Sequence, residues 1–121
     1  MSSIRQVQIT FDCAEPERLA RFWSQVLGYT ADADSAADPE GVGPRLYFQR
    51  VPEGKIVKNR VHIDVRVGTG MVGAERLAAL EAECARLVAL GAVRERLLPA
   101  DEENESCIVM RDIEDNEFCL D

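Results

Sequence analysis

The chain repeats a short pattern, and that repeat constrains its fold more than any other feature. Val7-Gln8-Ile9-Thr10-Phe11 and Val61-His62-Ile63-Asp64-Val65 both alternate apolar and polar residues. Strict alternation marks a strand with one buried face. Each copy is followed by an apolar-periodic helix ending in Leu-Gly, at Leu27-Gly28 and at Leu90-Gly91. Two similar halves place equivalent strands side by side and point their polar residues at one shared cavity. Gln8 and His62, the only histidine, are then expected to face each other. Both side chains bind metals or orient polar ligands.

At 121 residues the sequence predicts one domain, 1–121, burying about two-thirds of its unfolded surface. Module one is expected at about 4–52 and module two at about 60–121. A net charge of −8 argues against a nucleic-acid partner, because phosphates would be repelled. No run approaches the roughly 20 apolar residues of a spanning helix, so no membrane partner is expected. Met1 to Arg5 lacks the apolar core of a signal peptide, and the expected location is cytoplasmic. Cys13, Cys84, Cys107 and Cys119 show no C-x-x-C spacing and no neighbouring histidine. They read as buried, reduced thiols acting as small hydrophobes rather than as zinc ligands.

Residues 5–13 read as a strand, and Pro16 suits a first helical position. Leu19, Phe22, Trp23, Val26 and Leu27 follow helical spacing up to Gly28. Ala31 to Pro44 is expected to hold a short edge strand and an exposed loop, followed by a strand over Arg45–Val51. Pro52 to Lys55 marks the connector, and Val61–Val67 reads as the next strand. Three glycines between Gly68 and Gly73 predict a mobile loop. A helix is predicted over Ala74–Leu90, with Leu77, Leu80, Cys84, Leu87 and Leu90 on its apolar stripe. Strands follow over Val93–Leu98, Cys107–Arg111 and Glu117–Leu120. The order predicts an α+β fold with a mixed, mostly antiparallel sheet and helices on its outer face.

This arrangement resembles the vicinal-oxygen-chelate superfamily of glyoxalases, extradiol dioxygenases, fosfomycin-modifying enzymes and bleomycin-resistance proteins. It looks most like the actinobacterial type of glyoxalase-like domain. The matching pieces include Asp12-Cys13-Ala14-Glu15-Pro16, Ala20-Arg21-Phe22-Trp23, Leu46-Tyr47-Phe48-Gln49, Lys58-Asn59-Arg60-Val61-His62-Ile63-Asp64 and Asp112-Ile113-Glu114-Asp115-Asn116-Glu117-Phe118. The resemblance implies two β-α-β-β-β modules forming a cupped mixed sheet around a site. It also implies a homodimer. Metal ligands come from the first and last strands of each module, which matches Gln8, His62 and Glu117 here. A fourth ligand is implied near Arg45 to Gln49, where this chain has no carboxylate and Gln49 is the nearest oxygen donor. In the final turn Ile113 stands where proline is usual and Asp115 where glycine is usual; Asp tolerates a left-handed position.

Two functional readings stand side by side. A His-Gln-Glu set suits one divalent ion (Zn²⁺, Ni²⁺, Mn²⁺ or Fe²⁺), and implies lyase or isomerase chemistry on a carbonyl compound with Glu117 as the catalytic carboxylate. The alternative is a metal-free, bleomycin-resistance-like protein that sequesters a drug, with His62 simply bonded to Glu117. Both take a small-molecule ligand. Tyr47 and Phe48 must point to opposite sheet faces, so one of the two rings is expected to meet that ligand. Gln49, Arg60 and Asp64 complete the candidate ligand-binding set, with Asp64 on the strand face of His62.

Overall fold

The computed structural model of the chain describes residues 4–121. Of the N-terminal segment read above, residues 1–3 lie outside the described residues. The chain divides into two compact units, Met1–Gly54 and Lys55–Asp121. Among the described residues no helix is long and apolar enough to cross a membrane.

The first unit runs β1 (Gln8–Cys13), α1 (Pro16–Leu27), β2 (Thr30–Asp32), β3 (Ser35–Ala37) and β4 (Arg45–Arg50). Its sheet has the order β1-β4-β3-β2, with β1 parallel to β4 and the other pairs antiparallel. Pro16 starts α1 because its fixed φ suits the first turn and its missing N–H has no helical partner there. Gly28 stops it at φ 73, a left-handed position costly for a side chain, and its N–H bonds Ser24 O. Leu19, Phe22, Trp23 and Val26 are buried against β3 and β4. Phe11 joins this core, its ring 5.3 Å from Trp23 and 5.1 Å from Phe48. Residues 31–44 hold a two-strand hairpin rather than one edge strand. Its Ala, Ser and Asp residues carry little β-propensity, so pairing with β4 supplies what the sequence does not signal.

The second unit repeats the plan with β5 (Ile63–Val65), α2 (Gly73–Ala89), β6 (Val93–Leu98), β7 (Cys107–Arg111) and β8 (Glu117–Leu120). The order is β5-β8-β7-β6, again with one parallel pair, β5 with β8. Leu80, Cys84 and Leu87 are buried on α2, and burying each leucine contributes about 2 kcal/mol. Beneath them lie Ile108, Met110, Phe118 and Leu120, each fully buried. Arg76 on α2 is buried too, which helical periodicity does not anticipate. Its guanidinium donates to Ser106 O from Nε and Nη2 and to Gly68 O from Nη1. A Cβ at Gly68 would come within 2.9 Å of Arg76 Nη1, so a side chain there has to displace the guanidinium. β5 is shorter than the Val61–Val67 expected from alternation, and Val61 and His62 precede it. The two modules are α+β units of one design.

Candidate functional site

The side chains of β5, β7 and β8 sort by parity. Phe118 and Leu120 face α2, while Glu117 and Cys119 take the opposite face, with Asp64 beside Cys119 in the register. His62, two residues before Asp64, continues that face. A pocket of about 810 Å³ lies here, within the size range of small-molecule sites. His62, Asp64, Cys107, Val109, Glu117 and Cys119 are among the residues that line it.

His62 Nε2 lies 3.1 Å from Asp64 Oδ1, and the two side chains are 43% and 47% exposed. The partner of His62 is therefore Asp64, not the Glu117 that the metal-free alternative supposes. Glu117 is bound elsewhere: Lys55 Nζ donates to Oε2 at 2.8 Å and the Asn59 N–H to Oε1 at 2.8 Å. Asn59 Nδ2 also donates to Glu117 O, so the connector is tied to the start of β8. Burial opposes ionisation of Glu117, but these donors outweigh it and hold the carboxyl below its usual value. Lys58 lines the pocket, whereas Arg60 is exposed and is not among the lining residues.

Cys84 and Cys13 are buried, as the sequence suggests. Cys107 and Cys119 depart from that expectation, because both are half-buried and line the pocket. Burial, then the neighbouring Cys107 thiol and the Asp64 and Asp121 charges, push the Cys119 thiol up to about 11. Burial also raises Cys107, followed by Asp121 and Asp64. The alternation of residues 117–120 with 107–110 carried the signal that sequence reading missed: both cysteines share the parity of Glu117.

In the first module, Gln8, Thr10 and Asp12 on β1 pair with Arg45, Tyr47 and Gln49 on β4. Arg45 Nη1 donates to Gln8 Oε1 at 2.6 Å, and its guanidinium lies 5.9 Å from the centre of the Tyr47 ring. Tyr47 is half-buried on this face, with Gln49 exposed beside it on the same parity. Phe48 points the other way and is fully buried on Phe11, so Tyr47 is the ring of the pair that faces away from the helix.

The registers of the two sheets test the implied metal. Ile9 pairs with Leu46 as Ile63 pairs with Phe118. One residue earlier, Gln8 matches His62 and Arg45 matches Glu117. The implied fourth ligand position therefore holds Arg45, a permanent cation with no lone pair to offer, already bonded to the Gln8 oxygen. Both Glu117 oxygens are also engaged. As they stand, these residues do not fit a four-ligand divalent site of that kind.

The comparisons agree with the architecture. The family model for a glyoxalase-like domain matches residues 8–120. The fosfomycin resistance protein FosX of Listeria monocytogenes, in complex with Mn(II) and 1S,2S-dihydroxypropylphosphonic acid, superposes with TM-score 0.70 at 13% identity, over 99% of this chain and 90% of that one. FosX of Mesorhizobium loti gives 0.67 at 16%, over 98% and 92%. A glyoxalase/bleomycin resistance protein/dioxygenase family enzyme of Burkholderia phytofirmans gives 0.65 at 15%, over 93% and 94%. At these identities the likeness establishes the fold alone. No curated protein matches the chain in sequence.

Proposed function

Since the chain belongs to the glyoxalase-like domain family of the vicinal-oxygen-chelate superfamily, we propose that it binds a small organic molecule on the open face of module two, without the family-type divalent ion. The observation that carries this reading is Arg45, which pairs with Gln8 in the strand register and donates to its side-chain oxygen, where the resemblance implies a fourth ligand. The pocket combines apolar surface from Val109 and Leu98 with polar groups at His62, Asp64 and Glu117. Such a lining suits a ligand with an apolar body and one or two polar groups. Sequestration of a drug-like molecule, as in bleomycin-resistance proteins, is the activity of this type.

The test is a thermal-shift screen of small aromatic acids and carbonyl compounds in the presence of EDTA. Binders are expected that keep their affinity with chelator and weaken tenfold or more, about 1.4 kcal/mol, in His62→Ala. Binding that requires added Mn²⁺ or Zn²⁺, or that ignores His62→Ala, contradicts the reading.

A second reading keeps Glu117 as the proton-moving carboxylate of a lyase or isomerase acting on a carbonyl compound. It is favoured by Glu117 and His62 lining the same pocket. Glu117→Ala then abolishes turnover while leaving binding in place. The homodimer implied by the family, and a cytoplasmic location, belong to the same proposal. Sedimentation at micromolar concentration showing only monomer removes the dimer.

A further inference from the structure

Three strands of module two bring a ring nitrogen, a carboxylate and two thiols to one side of the sheet. His62 and Asp64 flank Ile63, so they share a face. Cys119 on β8 is the register partner of Asp64. Cys107 on β7 lies two residues from Val109, the partner of Cys119, and is hydrogen-bonded to the Cys119 thiol. The ligand-type atoms of His62, Asp64 and Cys119 all lie within 4.8 Å of one another. The His62 Nε2 to Asp64 Oδ1 separation is 3.1 Å.

A tetrahedral zinc ion with bonds of about 2.0–2.3 Å spaces its ligand atoms roughly 3.3–3.8 Å apart. His62 and Asp64 already stand near that spacing. Cys107 lies outside that group of three and joins it through its bond to the Cys119 thiol; a cysteine sulfur moves about the single bond χ1, so adjusting it leaves the strand in place.

We propose that His62, Asp64, Cys119 and Cys107 form a binding site for Zn²⁺ or a similarly thiophilic ion. This set differs from Gln8, His62 and Glu117, and it does not depend on the small-molecule reading. One nitrogen, one carboxylate oxygen and two sulfurs select a borderline-soft ion over Mn²⁺ or Mg²⁺, which prefer oxygen ligands. As each S–Zn bond forms, the thiol proton passes to solvent, and no electrons change hands.

The experiment uses the full chain, stripped of metal and kept reduced. Zn²⁺ is titrated against a chromophoric chelator, and Co²⁺ uptake is followed by absorption. One equivalent is expected, with a thiolate-to-cobalt charge-transfer band and intense tetrahedral d–d bands. Cys119→Ser and Cys107→Ser each weaken Zn²⁺ binding by more than about a hundredfold, beyond the 10–100-fold cost of losing an outer-shell partner. Asp64 is half exposed, so Asp64→Asn keeps the fold and separates lost ligation from misfolding. It too is expected to weaken binding, while Glu117→Gln and Gln8→Ala leave it unchanged.

No uptake of either ion overturns the proposal, as does a weak octahedral cobalt spectrum without a thiolate band. Loss of binding in Glu117→Gln with retention in Cys119→Ser overturns it in favour of the family ligand set. The small-molecule screen in EDTA is unaffected by these outcomes, so the two ideas fail separately.

Discussion

Module one and module two share a backbone plan and differ in what they hang on it. Both sheets place the first strand parallel to the last, and both bury an alternating row against one helix. On the other face, Gln8, Thr10, Arg45 and Tyr47 of module one correspond to His62, Asp64, Glu117 and Cys119 of module two. The first quartet satisfies itself, with Arg45 bonded to Gln8 and lying near Tyr47. The second presents an imidazole, two carboxylates and a thiol to a pocket. The scaffold was repeated and the chemistry was not. Four pairs of aligned positions therefore separate a face whose groups bond one another from one whose groups line a pocket.

The largest effects should fall on the core of each module. Leu46 and Phe118 hold the same register position and both are buried. Phe118→Ala is expected to cost about 3–5 kcal/mol and Leu46→Ala about 2–5 kcal/mol, measured by urea denaturation. A cost well under about 1 kcal/mol at either site breaks the equivalence of the modules.

The turns before β4 and β8 give a smaller, sharper contrast. Each opens on an aspartate whose carboxylate accepts backbone N–H groups: Asp38 from Glu40, Val42 and Gly43, and Asp112 from Glu114 and Asn116. Asp112 is 1% exposed, so Asp112→Ala leaves buried donors unpaired and costs about 1–3 kcal/mol. Asp38→Ala should cost less, because water replaces its bonds. The N–H groups of Gly43 and Glu40 hold Asp38 below the usual carboxylate range, against a smaller opposing effect of burial. Its stabilisation is thus present above about pH 4 and lost as pH falls through the lowered value. Acid unfolding of Asp38→Ala should lack that part of the loss; an unchanged acid limb removes the turn assignment.

The smallest effect is chemical rather than thermodynamic. Cys107 and Cys119 carry raised thiol pKa values, so a disulfide reagent should modify them slowly near pH 8 in the native protein. The rate should climb in alkali, with Cys119 following only toward its value of about 11. Fast modification of either at neutral pH contradicts the environment described for the pocket.

Much of this fold was legible in the sequence, for identifiable reasons. β6, β7 and β8 and helix α1 coincide with their alternation or periodicity, and Pro16 and Gly28 mark the ends of α1. The β2–β3 hairpin was not, because small polar residues carry no pattern. The repeat makes Gln8 and His62 equivalent positions: Gln8 begins, and His62 immediately precedes, the strand that runs parallel to the last one of its module. What was hidden depends on distant partners: Lys55 and Asn59 reach Glu117 across 62 and 58 residues, and Arg45 reaches Gln8 across 37. The cysteines were judged by spacing along the chain, whereas strand pairing brings Cys107 to Cys119.

A nuclear magnetic resonance titration tests most directly the claim that binding belongs to module two. The protein, held in EDTA, is titrated with a ligand from the screen while the single histidine's imidazole and the backbone amides are followed. Saturable shifts at His62, Asp64, Cys107 and Cys119 are predicted. Saturable shifts confined to Gln8, Thr10, Arg45 and Tyr47, with His62 and Cys119 unmoved, would contradict the account.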